Sequence, residues 1–364
     1  MLSDEIVVGS EQVFRLLHLL VHRTIRSHTN RMNRLNASCS LLVLATTVCS
    51  SAHAVGFSHL EPANETSVEL GIWYPTEAPV PAEPNTPFGQ ALAIDAEPVG
   101  EDLPLIILSH GNGSRMERLS STALALSEAG YVAVGITHSD DNFKNKDANP
   151  SEWIVSRPQE VVSSIDFMLK SWSGAEHISR ERIGVFGFSA GGYTAVVAAG
   201  GEPNFDRAAK HCDMEPTEFL CKIGTVSKIT NSSLSSIPPD FPSDSRIKAI
   251  SVAAPGFGFA FDPKALDEIS ARVQIWSGSL DERVPHASNG MLLADSLGGE
   301  IDLEIVEGAG HFAFLPPCRP GLELANPRIW EMACIDAPGF DRVAFHSAFN
   351  ARIVAFFDKV FFGY

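Results

Sequence analysis

The chain has 364 residues, 45% of them apolar and 20% charged, and a formal net charge of −17. That apolar share can fill a large core and excludes a disordered or low-complexity protein. The acidic balance, with no basic stripe to offset it, argues against nucleic acid and anionic membranes as partners and says little about chemistry.

Near the N-terminus one uncharged run, Ser38 to Ala52, is too short and too rich in small and polar residues to span a bilayer comfortably. It reads as a secretory signal. Met32 to Arg34 supplies a positive start, Leu41 to Ala45 an apolar stretch, and Ala52-His53-Ala54 an A-x-A cleavage site. Cleavage after Ala54 would start the mature protein at Val55, exported to the periplasm or the exterior, with no stable membrane insertion. Residues 1–31 then precede an ordinary signal, as they would if the start codon were assigned too early. A long positive region from Met1 and an amphipathic helix at a membrane surface are the alternatives. Cys49 is a weak lipoprotein site, because Thr-Thr-Val precedes it. Removing residues 1–54 takes away five arginines and three acidic groups, which leaves the remainder more acidic still.

Along the rest of the chain, Ser67 to Tyr74 alternates like an antiparallel strand that Pro75 ends, and a proline-rich loop follows to Pro87. Leu103 to Ser109 is a continuous apolar strand, Arg115 to Ala129 a helix with Gly130 past its end, and Tyr131 to Thr137 the next strand. After a polar loop, Pro158 opens a helix whose residues Val161, Val162, Ile165, Met168, Leu169 and Trp172 keep a 3.6-residue period. A short strand from Ile183 leads into a small-residue helix ending at Ala199. Residues 200–245 lose periodicity and read as an insertion. Strands at Ile247–Ala253, Val273–Ser277 and Ile301–Val306 follow, with a helix at His286–Leu297. A second insertion covers about 312–340, and an amphipathic helix from Phe340 to Phe361 places Val343, Phe349, Ile353 and Phe357 near one face. Strands alternating with helices predict an α/β fold: one domain over 55–364, with a mostly parallel sheet of about eight strands and helices on both faces. No internal repeat is present.

Gly187-Phe188-Ser189-Ala190-Gly191, between a β-branched strand and an alanine-rich helix, is a G-x-S-x-G nucleophile elbow in the context it requires. Taken alone, the motif also fits a turn whose serine only caps a helix. In a parallel sheet, reactive groups gather at the carboxyl ends of strands, so partners for Ser189 are sought there. His311 follows the last strand in a glycine-rich turn and suits a general base; Asp281, after the preceding strand, suits the carboxylate that orients it. Asp140, Asp141 and Asp262 are rival acids, but the order serine, acid, histidine is the known one for this elbow. The backbone N–H of Ala190 and a second donor at Asn112, in the loop Gly111 to Ser114, would form an oxyanion hole; His110 would brace that loop. Phe188, Phe257, Phe259 and Phe312 are candidates for an apolar substrate pocket, although each equally fits ordinary core packing.

With residues 1–54 removed, the cysteines are Cys212, Cys221, Cys318 and Cys334. In an exported chain they suggest disulfides with three possible connectivities, of which the short loops 212–221 and 318–334 are favoured. Without a C-x-x-C pair or a histidine at ligand spacing, no metal is expected.

Together these motifs resemble the α/β-hydrolase family and, within it, exported dienelactone-hydrolase-like proteins related to platelet-activating-factor acetylhydrolase. The resemblance rests on Gly71 to Thr76, Ser109 to Gly113, the helix from Ser156-Arg157-Pro158 to Asp166, the elbow, and Gly278 with Asp281 ahead of Gly310-His311. It implies that Ser189 is nucleophile, His311 base and Asp281 orienting acid, without a cofactor. Dienelactone hydrolases proper carry cysteine where this chain has Ser189, so the family name does not indicate the substrate. The expected activity is serine carboxylic-ester hydrolysis on small or medium apolar esters through an acyl-enzyme. Lipase, phospholipase or peptidase activity on the same triad, and a non-catalytic binding protein of the same fold, are alternatives. No oligomeric state follows from the sequence.

Overall fold

A computed structural model describes residues 53–62, 67–145, 149–232, 241–297 and 301–363. The expected leader up to Ala52 lies outside the described residues, as do residues 63–66, 146–148, 233–240 and 298–300.

The strands are β1 (Ala54–Leu60), β2 (Glu69–Thr76), β3 (Ala93–Ile94), β4 (Leu103–Ser109), β5 (Val132–Thr137), β6 (Ile178–Phe188), β7 (Ile247–Ala253), β8 (Arg272–Gly278) and β9 (Asp302–Val306). They form one nine-stranded sheet in the order β3-β1-β2-β5-β4-β6-β7-β8-β9. From β5 to β9 every neighbour is parallel, whereas β2 runs antiparallel to both β1 and β5. β1 and β3 have no counterpart in the sequence reading: β1 begins inside the expected cleavage signal, and β3 is only two residues long.

The apolar runs follow from burial on both faces. In β4, Leu105 and Ile107 enter the core on one side of the sheet while Ile106 and Leu108 enter the core on the other. Helices cover both faces: α1 (Ser120–Glu128), α2 (Pro150–Lys170), α3 (Ala190–Ala198), α4 (Phe205–Met214), α5 (Phe219–Lys222), α6 (Thr225–Thr230), α7 (Gly290–Leu297), α8 (Leu322–Ala325), α9 (Pro327–Ala333) and α10 (Arg342–Phe362). On α10, Phe349, Ile353 and Phe357 are fully buried, but Val343 lies on the solvent side at 68% exposure.

Two expectations need correction. α2 starts two turns before Pro158, because Asn149 caps it by accepting from Ser151 N and Pro150 takes the first position, where a missing N–H costs nothing. The segment 200–245 is not irregular throughout: Asn204 caps α4, and α4 to α6 are held by tertiary contacts rather than by a long amphipathic repeat. The disulfide Cys212–Cys221 joins α4 to α5, and Cys318–Cys334 closes the second insertion around α8 and α9. Among the described residues no helix is long and apolar enough to cross a membrane.

The winding changes direction between β4 and β6, since β5 pairs on one side of β4 and β6 on the other. Loops leaving the carboxyl ends of β4 and β6 therefore diverge and open a crevice there.

Candidate active site

Ser189 sits between β6 and α3 with φ 57° and ψ −116°, a conformation that costs free energy for a residue with a Cβ. Backbone bonds hold it: Ser189 N donates to the Ala253 carbonyl at 2.9 Å, and the Ser189 carbonyl accepts from Gly192 N, Gly256 N and Tyr193 N at 2.9, 3.1 and 3.3 Å. The flanking glycines are dictated by contact: a Cβ on Gly187 would lie 2.1 Å from the Gly191 carbonyl oxygen, and one on Gly191 would lie 1.9 Å from that of Ser109. Ala190 begins α3, so its N–H has no partner within the helix and adds to the positive end of the helix dipole beside the Ser189 hydroxyl.

His311 and Asp281 arrive from the ends of β9 and β8. Their loops are laced together by Ser279 N donating to the Val306 carbonyl and Leu280 N to that of Ala309, each at 3.0 Å, and by Gly308 N donating to Ser279 Oγ at 2.9 Å. The lacing brings His311 Nδ1 to 2.8 Å from Asp281 Oδ2, while His311 Nε2 lies 3.1 Å from Ser189 Oγ. Asp281 Oδ1 accepts from the backbone of Arg283 and Val284 at 2.9 and 2.8 Å, so both carboxylate oxygens are fixed. In the tautomer this geometry favours, Nδ1–H donates to Asp281 and Nε2 accepts from the Ser189 hydroxyl.

The loop after β4 passes beside Ser189. A Cβ on Gly111 would lie 3.1 Å from the Phe188 ring and 3.4 Å from Ser189 Cβ. Asn112 follows directly, its side chain turned away to donate to Asp141 Oδ1 at 2.9 Å. Of the four phenylalanines, Phe188 and Phe312 lie beside the imidazole, with ring centroids 5.0 and 5.1 Å from that of His311. Phe257 and Phe259 do not line a pocket there: both are 1% exposed, Phe257 packed on Trp153, Tyr193 and Phe205, and Phe259 stacked under His211. Gly258 allows the tight turn that folds both rings inward, since a Cβ there would lie 2.2 Å from the Asn289 carbonyl oxygen.

No family model matches the sequence, and no curated protein matches it. Solved structures do match in shape. A ferulic acid esterase from Streptomyces cinnamoneus superposes with a TM-score of 0.57 at 16% identity, over 85% of this chain and 91% of its own. A dienelactone hydrolase from Anabaena variabilis covers 85% of this chain and 99% of its own, with a TM-score of 0.46 and 15% identity.

The chain has the α/β-hydrolase fold.

Beneath the loop after β4, this α/β-hydrolase fold carries a buried polar network that the sequence reading did not assemble. Asp141 also accepts from Gly113 N at 2.6 Å and, through Oδ2, from Arg157 Nη1 at 2.5 Å. Arg157 is fully buried and donates through Nη2 to the His110 carbonyl and to Ser109 Oγ. Ser109 Oγ lies 2.8 Å from His138 Nε2, and His138 Nδ1 lies 2.5 Å from Glu160 Oε2. His110 Nε2 accepts from His138 N at 3.2 Å, which leaves Nδ1–H to donate to the Gly111 carbonyl at 2.7 Å, so His110 does brace the loop. Desolvation, then the Arg157 charge, pushes both histidines well below the usual imidazole range, so they are neutral at pH 7. Burial raises the Glu160 carboxyl. Asp141, one of the rival acids, thus serves the loop, and Asp262 caps a turn by accepting from Ala265 N at 3.1 Å. The sequence signal for the network was a polar cluster, His138 to Asp141, directly after the fully buried strand β5.

One group with ligand atoms in mutual reach, His59, Glu61 and Glu69, is found among the described residues, all within 4.8 Å. It lies on the β1–β2 hairpin, separated from β6 by β5 and β4.

Proposed function

We propose that the protein is a serine carboxylic-ester hydrolase acting on small or medium apolar esters through an acyl-enzyme. The observation that carries this reading is the relay from Asp281 through His311 to a serine held at φ 57°. Ser189 Oγ attacks the ester carbonyl carbon as its proton passes to His311 Nε2, and Asp281 stabilises the imidazolium. Negative charge on the former carbonyl oxygen is met by the backbone N–H groups of Ala190 and Asn112. The carbon–oxygen bond to the alcohol then breaks as Nε2 returns the proton to the leaving oxygen, which leaves acyl-Ser189. Water, deprotonated by the same nitrogen, attacks the acyl carbon, and collapse releases the acid and free Ser189. No step calls on a cofactor.

Hydrolysis of p-nitrophenyl acetate and butyrate, together with labelling of Ser189 by a fluorophosphonate, tests the reading. Ser189→Ala should abolish both while the fold persists, and undiminished turnover in that variant would refute it. A feruloyl ester belongs among the esters tested, because a ferulic acid esterase shares the fold. We also infer export, supported by two disulfides in a chain whose N-terminal part reads as a secretory signal. N-terminal sequencing of secreted material should begin at Val55.

A further inference from the structure

We propose that α5, held by the Cys212–Cys221 disulfide, is a fixed wall of the substrate site, and that Phe219 and Leu220 on it set the size of the ester admitted. The proposal rests on the ester-hydrolase reading of Ser189.

Each of the two adjacent residues borders a group that is itself bonded to a member of the relay: Leu220 borders Gly256 and Phe219 borders Arg283. On the nucleophile side, Gly256 N donates to the Ser189 carbonyl at 3.1 Å. A Cβ on Gly256 would lie 3.8 Å from that carbonyl oxygen and 3.9 Å from Leu220 Cδ1, so the leucine methyl borders the glycine that is bonded to Ser189. On the base side, the Arg283 guanidinium is sandwiched between two rings, 4.8 Å from the Phe219 centroid and 5.0 Å from that of Phe312. Phe312 packs against His311, and Arg283 N donates to Asp281 Oδ1. Phe219 and Leu220 are both only half-buried, so each keeps some apolar surface exposed.

Several contacts make this a wall rather than a lid. Glu218 Oε2 caps α5 by accepting from Leu220 N at 2.9 Å. Its other oxygen accepts from Asn289 Nδ2 at 3.5 Å, and buried Asn289 also donates to the Pro285 carbonyl and accepts from Gly258 N. On α4, the other side of the disulfide, His211 stacks on Phe259 with centroids 4.3 Å apart and Arg207 Nε donates to the Phe259 carbonyl at 3.0 Å. The insertion is therefore fastened both to the loop that bears Asp281 and to the phenylalanine-rich turn. A rigid apolar wall selects by size, and each methylene it excludes or admits is worth roughly 10- to 200-fold in kcat/KM.

The test measures kcat/KM on two panels: p-nitrophenyl esters from acetate to decanoate, and acetates of alcohols of increasing bulk. Phe219→Ala and Leu220→Ala should each raise the bulky-to-small ratio on at least one panel by about 10-fold or more, the lower end of the range above. Arg283→Met should move the ratio the same way by releasing Phe219. Phe219→Leu and Leu220→Val, milder changes, should give smaller shifts in that direction and keep the test valid if an alanine variant misfolds. Unchanged ratios on both panels overturn the proposal. A parent protein that turns over no ester and is not labelled by fluorophosphonate marks failure of the ester-hydrolase reading instead, and the wall falls with it.

Discussion

Pro158 and Tyr193 are coupled through one carbonyl group. Proline has no N–H to give the Ile154 carbonyl four residues before it in α2, and the fully buried Tyr193 hydroxyl donates to that oxygen at 3.2 Å instead. Tyr193 belongs to α3, so the helix that begins at the elbow is tied to α2 at the defect in α2. Tyr193→Phe should cost about 1–3 kcal/mol in urea unfolding, the usual cost of a buried acceptor left without a donor. Pro158→Ala restores an N–H to the same carbonyl, so the cost of Tyr193→Phe should shrink in that background. Equal costs in both backgrounds would show that the hydroxyl acts elsewhere.

Asp281→Asn tests the orientation of the base. Asparagine can still accept from Arg283 N and Val284 N, which protects the loop, but it offers no carboxylate to hold Nδ1–H or to stabilise an imidazolium. Turnover of p-nitrophenyl butyrate should fall by on the order of 10⁴-fold with the fold intact. A loss smaller than tenfold would assign the orienting role to another group.

Arg157→Met strands the Asp141 carboxylate in the interior. The arginine is fully buried and joins Asp141 to the His110 carbonyl, so its loss should cost about 3–5 kcal/mol in urea unfolding and lower kcat by loosening the loop through Asn112. Adding Asp141→Asn removes the stranded charge and should recover part of the stability. Recovery of full kcat by the double variant would separate the loop's position from the ion pair.

Acid should weaken the fold through its buried histidines. Burial depresses His110, His138 and His346, the last to about 4. The unfolded chain takes these protons first, near pH 6.5. Their contribution is therefore complete above that value and is lost as pH falls towards the folded pKa, by at most roughly 1.4 kcal/mol per pH unit per histidine. Glu160 acts in the opposite sense, since its raised carboxyl pKa favours the folded state as it takes a proton. His346→Gln should lose less of its urea midpoint between pH 7 and pH 5 than the parent does. Identical losses would exclude His346 as a contributor.

The pattern of elements was legible wherever one local rule governs. Leu103 to Ser109 is an uninterrupted apolar run because β4 is buried on both faces, and α10 shows its buried stripe through Phe349, Ile353 and Phe357. Pro158 misled as a helix start, because the donor that excuses it, Tyr193, lies 35 residues later. Phe257 and Phe259 resembled pocket lining because composition shows that a ring is apolar but not which apolar surface covers it.

By itself the sequence determined the alternation of strand and helix, the elbow around Ser189, the placing of His311 and Asp281 after successive strands, and the two favoured cysteine pairs. These rest on periodicity and on residue types that a particular backbone turn demands. Only the tertiary structure decided that Asp141 serves the loop at Asn112, that Arg157 and His138 are sealed beneath it, and that Phe219 packs on Arg283 and Leu220 borders Gly256. Those relationships join residues far apart in the chain by contacts of a few ångströms. Such contacts exist only once the sheet has stacked its carboxyl ends and the insertions have been fastened over them.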